Sequence, residues 1–275
     1  MLPKIIDSPG FNAVVAGRYG YQVFNKNDRF VGRAVEKYGE FSEAECTLFR
    51  QLCRPGDLVV EVGSNIGTHT LALSQFVGPK GRVIAFEPQR IVFQTLCATL
   101  ALNSVTNVEA HQMAVGEARG ELPLPEFRYD LEGNFGGIAV DQFQEGKPVP
   151  VVTLDEFLPS LPRLRLLKID VEGMEERVIR GARRIIETHR PFLYVENDRV
   201  EKSPELIDAI RSLGYRLFWH APPLFNAGNF AGDAENLFEG IVSINMLGFH
   251  ESADVVLNGL PEVGNRDQHP LNPQS

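Results

Sequence analysis

Short apolar runs and amphipathic stretches alternate along this chain from residue 58 onward. Apolar runs of strand length occupy residues 58–62, 83–86, 108–114, 164–171, 192–196 and 215–219. Stretches with helical periodicity lie between them, at residues 68–76, 89–103, 175–188 and 204–213. Parallel strands need helical crossovers and are buried on both faces, so this alternation predicts an α/β fold built on a mainly parallel sheet with helices on both sides.

The segment ahead of this alternation follows a different pattern. Residues 1–40 contain short alternating pieces broken by glycine and by the polar run 25–28, which predict a small hairpin. A capped amphipathic helix is predicted over 41–53, because Ser42 precedes Glu45 at capping-box spacing. We therefore expect an N-terminal extension, a candidate substrate cap, followed by a main domain over 41–250.

Three later stretches break the alternation. Residues 117–150 combine several prolines, a glycine cluster and four aromatic residues. Long insertions in compact domains are usually functional, which predicts an active-site loop or lid, with a merely mobile connection as the alternative. Residues 221–236 form a second candidate loop, and the tail over 261–275 is predicted to be disordered.

Composition narrows the class of protein. Hydrophobic residues make up 43% and charged residues 23% of the chain, as in soluble globular proteins. No run approaches the roughly 18 apolar residues of a membrane span, and the first residues do not resemble a secretory leader. Cys46, Cys53 and Cys97 are too few for a disulfide framework and lack zinc-site spacing, so we expect buried free thiols. A cytoplasmic protein fits these features.

The chain carries a net charge of −9. Such a surface repels phosphate backbones, which argues against nucleic acid as a partner. Its basic residues concentrate between 163 and 190, where their spacing favours a solvated helix face. A contact in a homo-oligomer, or with an anionic part of a substrate, stays open.

A glycine-containing turn joins the first apolar run to the first helix. Its sequence is Val60-Glu61-Val62-Gly63-Ser64-Asn65-Ile66-Gly67. Gly63 permits a tight turn and Gly67 permits close packing of the helix on the strand, while free N–H groups at the helix start face a ligand. Glu87 follows the next strand, 24 residues after Gly63, and Pro88 stops that strand. An acid at this spacing binds ribose hydroxyls in nucleoside-binding α/β folds; a surface glutamate is the alternative.

The turn favours S-adenosylmethionine over NAD as the cofactor. S-adenosylmethionine has no pyrophosphate and so needs no triple-glycine cradle, and here one glycine lies at the turn and one four residues later. Its methionine ammonium needs acceptors, and Glu61 supplies a carboxylate just before the turn. A buried carboxylate without such a partner would be costly.

The residues that carry a resemblance to a known family are the glycine-containing turn, Phe86-Glu87-Pro88 and the stretch Leu167-Lys168-Ile169-Asp170-Val171-Glu172-Gly173-Met174-Glu175. The chain resembles the FkbM-type methyltransferase family over about residues 40–245. The resemblance implies a class I methyltransferase fold, a seven-stranded sheet with its last strand antiparallel, for which residues 236–245 are the candidate. It also implies that the chain near Gln112-Met113-Ala114 approaches the adenine. Glu61 stands where aspartate is usual, which keeps the carboxylate. The expected cofactor-binding residues are Glu61, Gly63, Ser64, Asn65, Gly67, Thr70, Glu87, Pro88, Met113, Ala114 and Asp170.

Acidic residues follow two further strands at the same predicted edge of the sheet. Strand periodicity places Lys168, Asp170 and Glu172 on one side, beside the methionine end of the cofactor. Glu196 ends the next strand. A carboxylate here can remove the proton of a substrate hydroxyl as the methyl is transferred, and Lys168 can pair with these acids. Capping of helix 175–188 is the alternative role for Asp170 and Glu172.

Two further roles stay open at this edge. His220 is a candidate general base, since histidine titrates near neutrality, or an ordinary loop histidine. Asp170, Glu196 and Asn197 loosely resemble the magnesium site of catechol O-methyltransferase, and oxygen ligands suit magnesium. A metal-free, charge-paired cluster is the alternative.

The sequence therefore predicts a methyltransferase that uses S-adenosylmethionine. The favoured reaction is O-methylation of a sugar or natural-product hydroxyl, so the expected partner is a small-molecule or glycan acceptor. N-methylation of an amide or amine, an NAD-dependent oxidoreductase and a non-catalytic binding module are the alternatives, since a fold does not fix a function.

Overall fold

The computed structural model describes residues 4–255, 257 and 259–272. In chain order its elements are β1 (Lys4–Asp7), β2 (Asn12–Gly17), β3 (Gly20–Asn25), α1 (Val31–Tyr38), α2 (Glu43–Leu52), β4 (Leu58–Val62), α3 (Thr68–Val77), β5 (Arg82–Phe86), α4 (Arg90–Leu102), β6 (Val108–His111), β7 (Ala114–Val115), β8 (Gly120–Leu124), a 3₁₀ turn (Val140–Gln142), β9 (Lys147–Val152), α5 (Leu154–Phe157), β10 (Leu164–Ile169), α6 (Glu175–Gly181), α7 (Arg183–His189), β11 (Phe192–Glu196), α8 (Ser203–Arg211), β12 (Tyr215–His220) and β13 (Asn245–His250). None of the described helices is long and apolar enough to cross a membrane.

A seven-stranded sheet organises the molecule, with strand order β12-β13-β11-β10-β4-β5-β6. Strands β4, β5, β6, β10 and β11 pair in parallel, whereas β13 lies antiparallel between β11 and β12. The predicted α/β fold class is confirmed. The carboxyl ends of the parallel strands meet at one edge, where open α/β sheets bind their ligands.

Helices cover both faces of this sheet because its central strands are buried on both sides. On one face, Val60, Leu167 and Leu193 pack with residues of α6, α7 and α8. On the other face, Val59 and Leu166 pack with residues of α2 and α3. Glu61 and Lys168, each two residues further along, point towards α2 and α3 as well.

Two predicted elements are each divided in the structure. The strand expected over 108–114 was wrong: β6 ends at His111, the Met113 N–H bonds the His111 carbonyl, and β7 then pairs with β9 in a second sheet. The helix expected over 175–188 is two helices, α6 and α7. Gly181 lies so close to Gly116 that a Cβ there would be 2.0 Å from the Gly116 carbonyl oxygen. Both breaks lie where the chain contacts the second sheet, which consists of β7, β8 and β9.

The C-terminal part also differs from the prediction. The final antiparallel strand is β13, not 236–245, because the chain at Leu237 and Phe238 packs on Tyr38 instead. The tail expected to be disordered runs beside β12: the Trp219 N–H bonds the Pro261 carbonyl, and Val263 is buried. Residues 273–275 of that tail lie outside the described residues.

The N-terminal segment forms more than a hairpin. Strands β2 and β3 make the predicted hairpin, and β1 adds a third antiparallel strand. Val15 and Phe24 from this sheet share an apolar cluster with Ile66, Val92 and Phe135. The extension is therefore packed on the main domain beside the β4–α3 turn, and its role as a substrate cap stays a prediction.

Two local predictions need correction. Ser42 does precede α2, but its hydroxyl donates to the Glu45 carboxylate and makes no capping bond to the helix. Of the three free cysteines, Cys46 and Cys53 are buried as expected, whereas Cys97 is only partly buried on α4. The insertion over 117–150 also contains regular structure, since β8 and β9 pair with each other.

Candidate active site

The turn between β4 and α3 depends on the absence of side chains at its two glycines. Gly63 has φ 83°, and a Cβ there would lie 1.7 Å from the Asp170 carbonyl oxygen. Gly67 has φ 88°, and its Cβ would lie 2.6 Å from Cδ1 of Leu96. The first glycine thus lets β4 approach the end of β10. The second packs the start of α3 against α4, not against the strand as predicted.

Glu87 lies directly after β5 and braces this turn. Its carboxylate accepts hydrogen bonds from the backbone N–H groups of Asn65 (3.0 Å) and Gln89 (2.8 Å). Burial raises the pKa of Glu87 to about 7, although both N–H bonds act to lower it. Each oxygen accepts one of these bonds, so both have lone pairs left for a ligand.

A pocket opens at the carboxyl edge of β4, β5 and β10. It is lined by Val62, Gly63, Phe86, Glu87, Pro88, Gln89, Met113, Ala114, Val115, Gly136, Ile138, Val140, Asp170, Val171, Glu172 and Met174. Six of the expected cofactor residues, among them Asp170, therefore face one space together with Glu172, and part of the 117–150 insertion covers it. Gln112 faces a separate pocket next to Tyr129.

Glu61 and Thr70 belong to a buried polar cluster under the turn. The Thr70 hydroxyl donates to Oε2 of Glu61 at 2.6 Å. Oε1 of Glu61 is 3.8 Å from Nζ of Lys168, which also bonds Oδ2 of Asp170 at 3.0 Å. Burial raises the pKa of Glu61 to about 7, against the lowering effect of Lys168. The lysine therefore links the buried Glu61 to Asp170, an acid that faces the pocket.

Three carboxylates converge where β10 and β11 end, and two of them, Asp170 and Glu172, line the pocket. Asp170, Glu172 and Glu196 each offer an oxygen, and the three oxygens lie within 4.8 Å of one another. The φ of Glu172 is +56°. Its position comes from a turn after β10 and not from the strand periodicity we predicted. Arg199 donates to Glu172 at 2.5 Å.

These three acids differ in proton affinity. Burial acts to raise the pKa of Asp170, but the Lys168 ammonium outweighs it and holds that pKa below its ordinary value. Burial and the Asp170 charge raise the pKa of Glu172 to about 8 and that of Glu196 well above its ordinary range. Asp170 is therefore the acid of the three that ionises most readily, and its charge favours the protonated forms of Glu172 and Glu196.

Sequence reasoning missed Glu175, the first residue of α6. Its Oε1 accepts the N–H groups of Val171 (3.1 Å) and Gly173 (3.0 Å), and this fixes the turn that carries Glu172. These bonds hold the turn and do not cap α6, whose N-cap residue Met174 makes no side-chain capping bond. The place of Glu175 in the glutamate-rich stretch after β10 was the available signal.

Two other predicted residues lie apart from the three carboxylates. Nδ1 of His220 is 2.8 Å from Oη of Tyr194, and β13 separates its strand from β11. The amide of Asn197 donates to Ser203 and to Met246. Among the described residues, the cluster of potential metal ligands therefore does not include His220.

The second candidate loop is tied to the N-terminal segment. Lys37 pairs with Glu235, and the Tyr38 hydroxyl donates to the Glu235 carbonyl. Glu40 accepts hydrogen bonds from Asn226 and from the N–H of Phe230. The two segments consequently form one body on the α2 side of the sheet.

A seven-stranded sheet with one antiparallel strand, and a pocket with a carboxylate after its second strand, define the class I methyltransferase fold. The family model described as "Methyltransferase FkbM domain" matches residues 61–217, more than half of the 275 residues. The chain belongs to this family.

Individual relatives match a smaller part of the chain. Methyltransferase 1 of Beauveria bassiana (strain ARSEF 2860) is 33% identical over 144 residues, which cover 45% of this chain and 57% of that protein. Methyltransferase sdnD of Sordaria araneosa is 32% identical over 157 residues, with 45% and 59% covered. The match thus spans less than two thirds of each relative. Among solved structures, methyltransferase FkbM from Methylobacillus flagellatus KT is 19% identical with a TM-score of 0.47, covering 75% of this chain and 51% of that chain.

Proposed function

We propose that this protein transfers the methyl group of S-adenosylmethionine to a hydroxyl of a sugar or natural-product acceptor. The observation that carries the proposal is the pocket in which Glu87 and Asp170 face the same space across Gly63. Glu87 would bind the ribose hydroxyls, and Met113 and Ala114 would contact the adenine. The cofactor supplies an electrophilic methyl on a sulfonium.

Unpartnered acceptors support the fit of a cationic cofactor. Oε1 of Glu61 and Oε2 of Glu196 are buried and have no hydrogen-bond partner among the described residues. A buried acceptor without a donor is costly, so these atoms favour a ligand that donates hydrogen bonds and carries positive charge. The ammonium of the methionine part has both properties.

Asp170 is the residue best placed to accept the hydroxyl proton. It is ionised, a third of its side chain is exposed, and Lys168 orients it through a 3.0 Å hydrogen bond. The raised pKa values of Glu172 and Glu196 leave Asp170 as the acid of the three that is most readily ionised and so available as the base. Positioning of the hydroxyl against the methyl would supply much of the acceleration, and proton removal the remainder.

The net charge of −9 supports a small-molecule or glycan acceptor over a nucleic acid. N-methylation is the second candidate reaction, since the same carboxylate can deprotonate an amine or amide. Methyl transfer from labelled cofactor distinguishes the two, because O-methyl and N-methyl products differ in their stability to alkali and acid.

A magnesium ion is the second candidate arrangement for the three carboxylates, whose oxygens lie close enough to share one cation. We propose the metal-free arrangement, because Lys168 and Arg199 already pair with Asp170 and Glu172. Exhaustive EDTA treatment tests this: full retention of turnover supports it, and loss that magnesium restores would support the cation.

Calorimetry with S-adenosylmethionine and S-adenosylhomocysteine tests the proposed function, with NAD as the comparison ligand. We expect saturable binding of the first two and none of NAD. Glu87→Gln should weaken both, whereas the exposed Glu109→Gln on β6 should not. Asp170→Asn should leave cofactor affinity within a few fold and abolish turnover. Absence of binding by the wild type would overturn the proposal.

A further inference from the structure

His69, the second residue of α3, is a buried histidine with one unused ring nitrogen. Its ring lies between Phe41 and Phe49, with centroid distances of 5.9 Å and 5.5 Å. Its Nε2 is buried and has no partner among the described residues. Packing alone does not explain this residue, because a phenylalanine would fill the same space without burying a polar atom.

The other nitrogen of the ring defines what Nε2 can do. The backbone carbonyls of Phe41 and Ser42 hydrogen-bond the ring, and since Nε2 is unpartnered they must meet Nδ1. A carbonyl only accepts hydrogen bonds, so Nδ1 carries the proton and Nε2 presents a lone pair. Burial lowers the pKa of His69 to about 3, which keeps the ring neutral. Nε2 is therefore an acceptor that lacks a donor.

Two more acceptors of the same kind lie beside the Lys168–Asp170 pair. The charges that act most on the His69 ring are Lys168 and Asp170. Oε1 of Glu61, 3.8 Å from Lys168, and Oε2 of Glu196, beside Asp170, are also buried and unpartnered. Three unused acceptors around one Lys168–Asp170 pair indicate a missing group that is small, cationic and rich in N–H donors.

We propose that Nε2 of His69 accepts a hydrogen bond from the α-ammonium of the amino-acid part of S-adenosylmethionine, next to Glu61. This inference rests on the proposed function. It makes His69 a cofactor-binding residue supplied by the second position of α3, where it recognises the amino-acid end and not the adenosine. The aromatic rings of Phe41 and Phe49 hold the imidazole in place.

A pair of ligands separates this role from a structural one. S-adenosylhomocysteine carries the ammonium, whereas 5′-methylthioadenosine has the same adenosine and thioether without the amino-acid part. For His69→Phe, which keeps the ring packing, calorimetry should show a loss of about tenfold or more for S-adenosylhomocysteine. Its affinity for 5′-methylthioadenosine should stay within about threefold, and His69→Gln, which keeps an acceptor oxygen, should recover most of the loss. His189→Phe, at the end of α7, is the matched control and should bind both ligands as the wild type does.

A second measurement uses the unaltered protein, in case His69→Phe does not fold. The ¹⁵N resonance of Nε2 should shift when S-adenosylhomocysteine is added and not when 5′-methylthioadenosine is added. An unchanged resonance, wild-type affinity of His69→Phe for S-adenosylhomocysteine, or an equal loss for both ligands would each overturn the assignment. If the wild type binds neither ligand, it is the proposed function that fails.

Discussion

Replacement of Gly63 by alanine tests the close approach of β4 to β10 that shapes the pocket. The φ of Gly63 is +83°, a conformation that costs an L-residue about 1–2 kcal/mol. The added Cβ would also lie 1.7 Å from the Asp170 carbonyl oxygen, a backbone atom that cannot rotate away. The two strands would therefore have to separate, a cost comparable to overpacking a core, about 1–3 kcal/mol.

Gly56 provides a matched control for the backbone part of this cost. Its φ is +94°, but a Cβ there meets nothing within 4 Å. Both substitutions gain about 0.4–1 kcal/mol from the lower entropy of the unfolded chain. We therefore expect Gly56→Ala to lower the free energy of unfolding by about 1 kcal/mol, and Gly63→Ala by about 3 kcal/mol.

Urea denaturation followed by circular dichroism measures both values. With a slope of about 3 kcal/mol per molar urea, the midpoints of the two variants should differ by about 0.7 M. Gly63→Ala should also lose affinity for S-adenosylhomocysteine, because the Asp170 backbone moves with β10. Equal destabilisation of the two variants, or full ligand affinity in Gly63→Ala, would refute the role of this backbone contact.

Three further predictions concern the buried charges. Lys168→Met leaves Glu61 and Asp170 without their cation and should lower the free energy of unfolding by about 3–5 kcal/mol in urea titrations. Glu175→Ala leaves the part-buried N–H groups of Val171 and Gly173 without their acceptor and should cost about 1–3 kcal/mol by the same measurement, with Glu175→Gln restoring part. Folding raises the pKa of Glu87 from 4.5 to about 7. Between these pH values the folded state holds a proton on Glu87 that the unfolded chain does not, so the free energy of unfolding increases as the pH falls. From pH 7 to 5 the wild type should gain about 1.4 kcal/mol per pH unit relative to Glu87→Gln, measured by urea titration at each pH.

Each of these predictions has a control and an opposing outcome. Substitution of the exposed Lys80 by Met should change the free energy of unfolding by no more than about 0.5 kcal/mol. If Lys168→Met has an equally small effect, the buried ion pairs of Lys168 do not stabilise the fold. Glu176→Ala, next to Glu175 but paired only with Arg180 on the helix surface, should cost less than about 1 kcal/mol. Parallel pH profiles of wild type and Glu87→Gln would show that Glu87 titrates normally.

The parts of the fold that depend on local pattern could be predicted from the sequence. The run 58–62 and the turn around Gly63 identify β4 and the start of α3, and Glu87 identifies the end of β5. Asp170 and Glu196 were expected to meet because parallel strands end at one edge, and their carboxylates do meet. Chain order and period-two alternation suffice for these residues.

The remaining features depend on contacts between distant parts of the chain. Gly181 interrupts a helical pattern because of its contact with Gly116, 65 positions earlier in the chain. His69 and Glu175 resemble ordinary helix residues until burial shows that one lacks a donor and the other holds a turn. Residues 236–244 have a strand-like composition, but Leu237 and Phe238 contact Tyr38 and the segment does not join the sheet.

The antiparallel strand β13 lies between two strands that precede it in the chain. Until about residue 250 has left the ribosome, β11 and β12 have no common neighbour, and the gap between them exposes unpaired backbone groups on both sides. The matched family region ends at residue 217, before this strand begins. A fragment cut to that boundary would lack β13 and would also end inside β12, so β11 would become an edge strand with unpaired backbone groups. The sheet is consequently completed only after β13 has been synthesised, and the edge of the sheet that carries Glu196 gains its neighbouring strand only then.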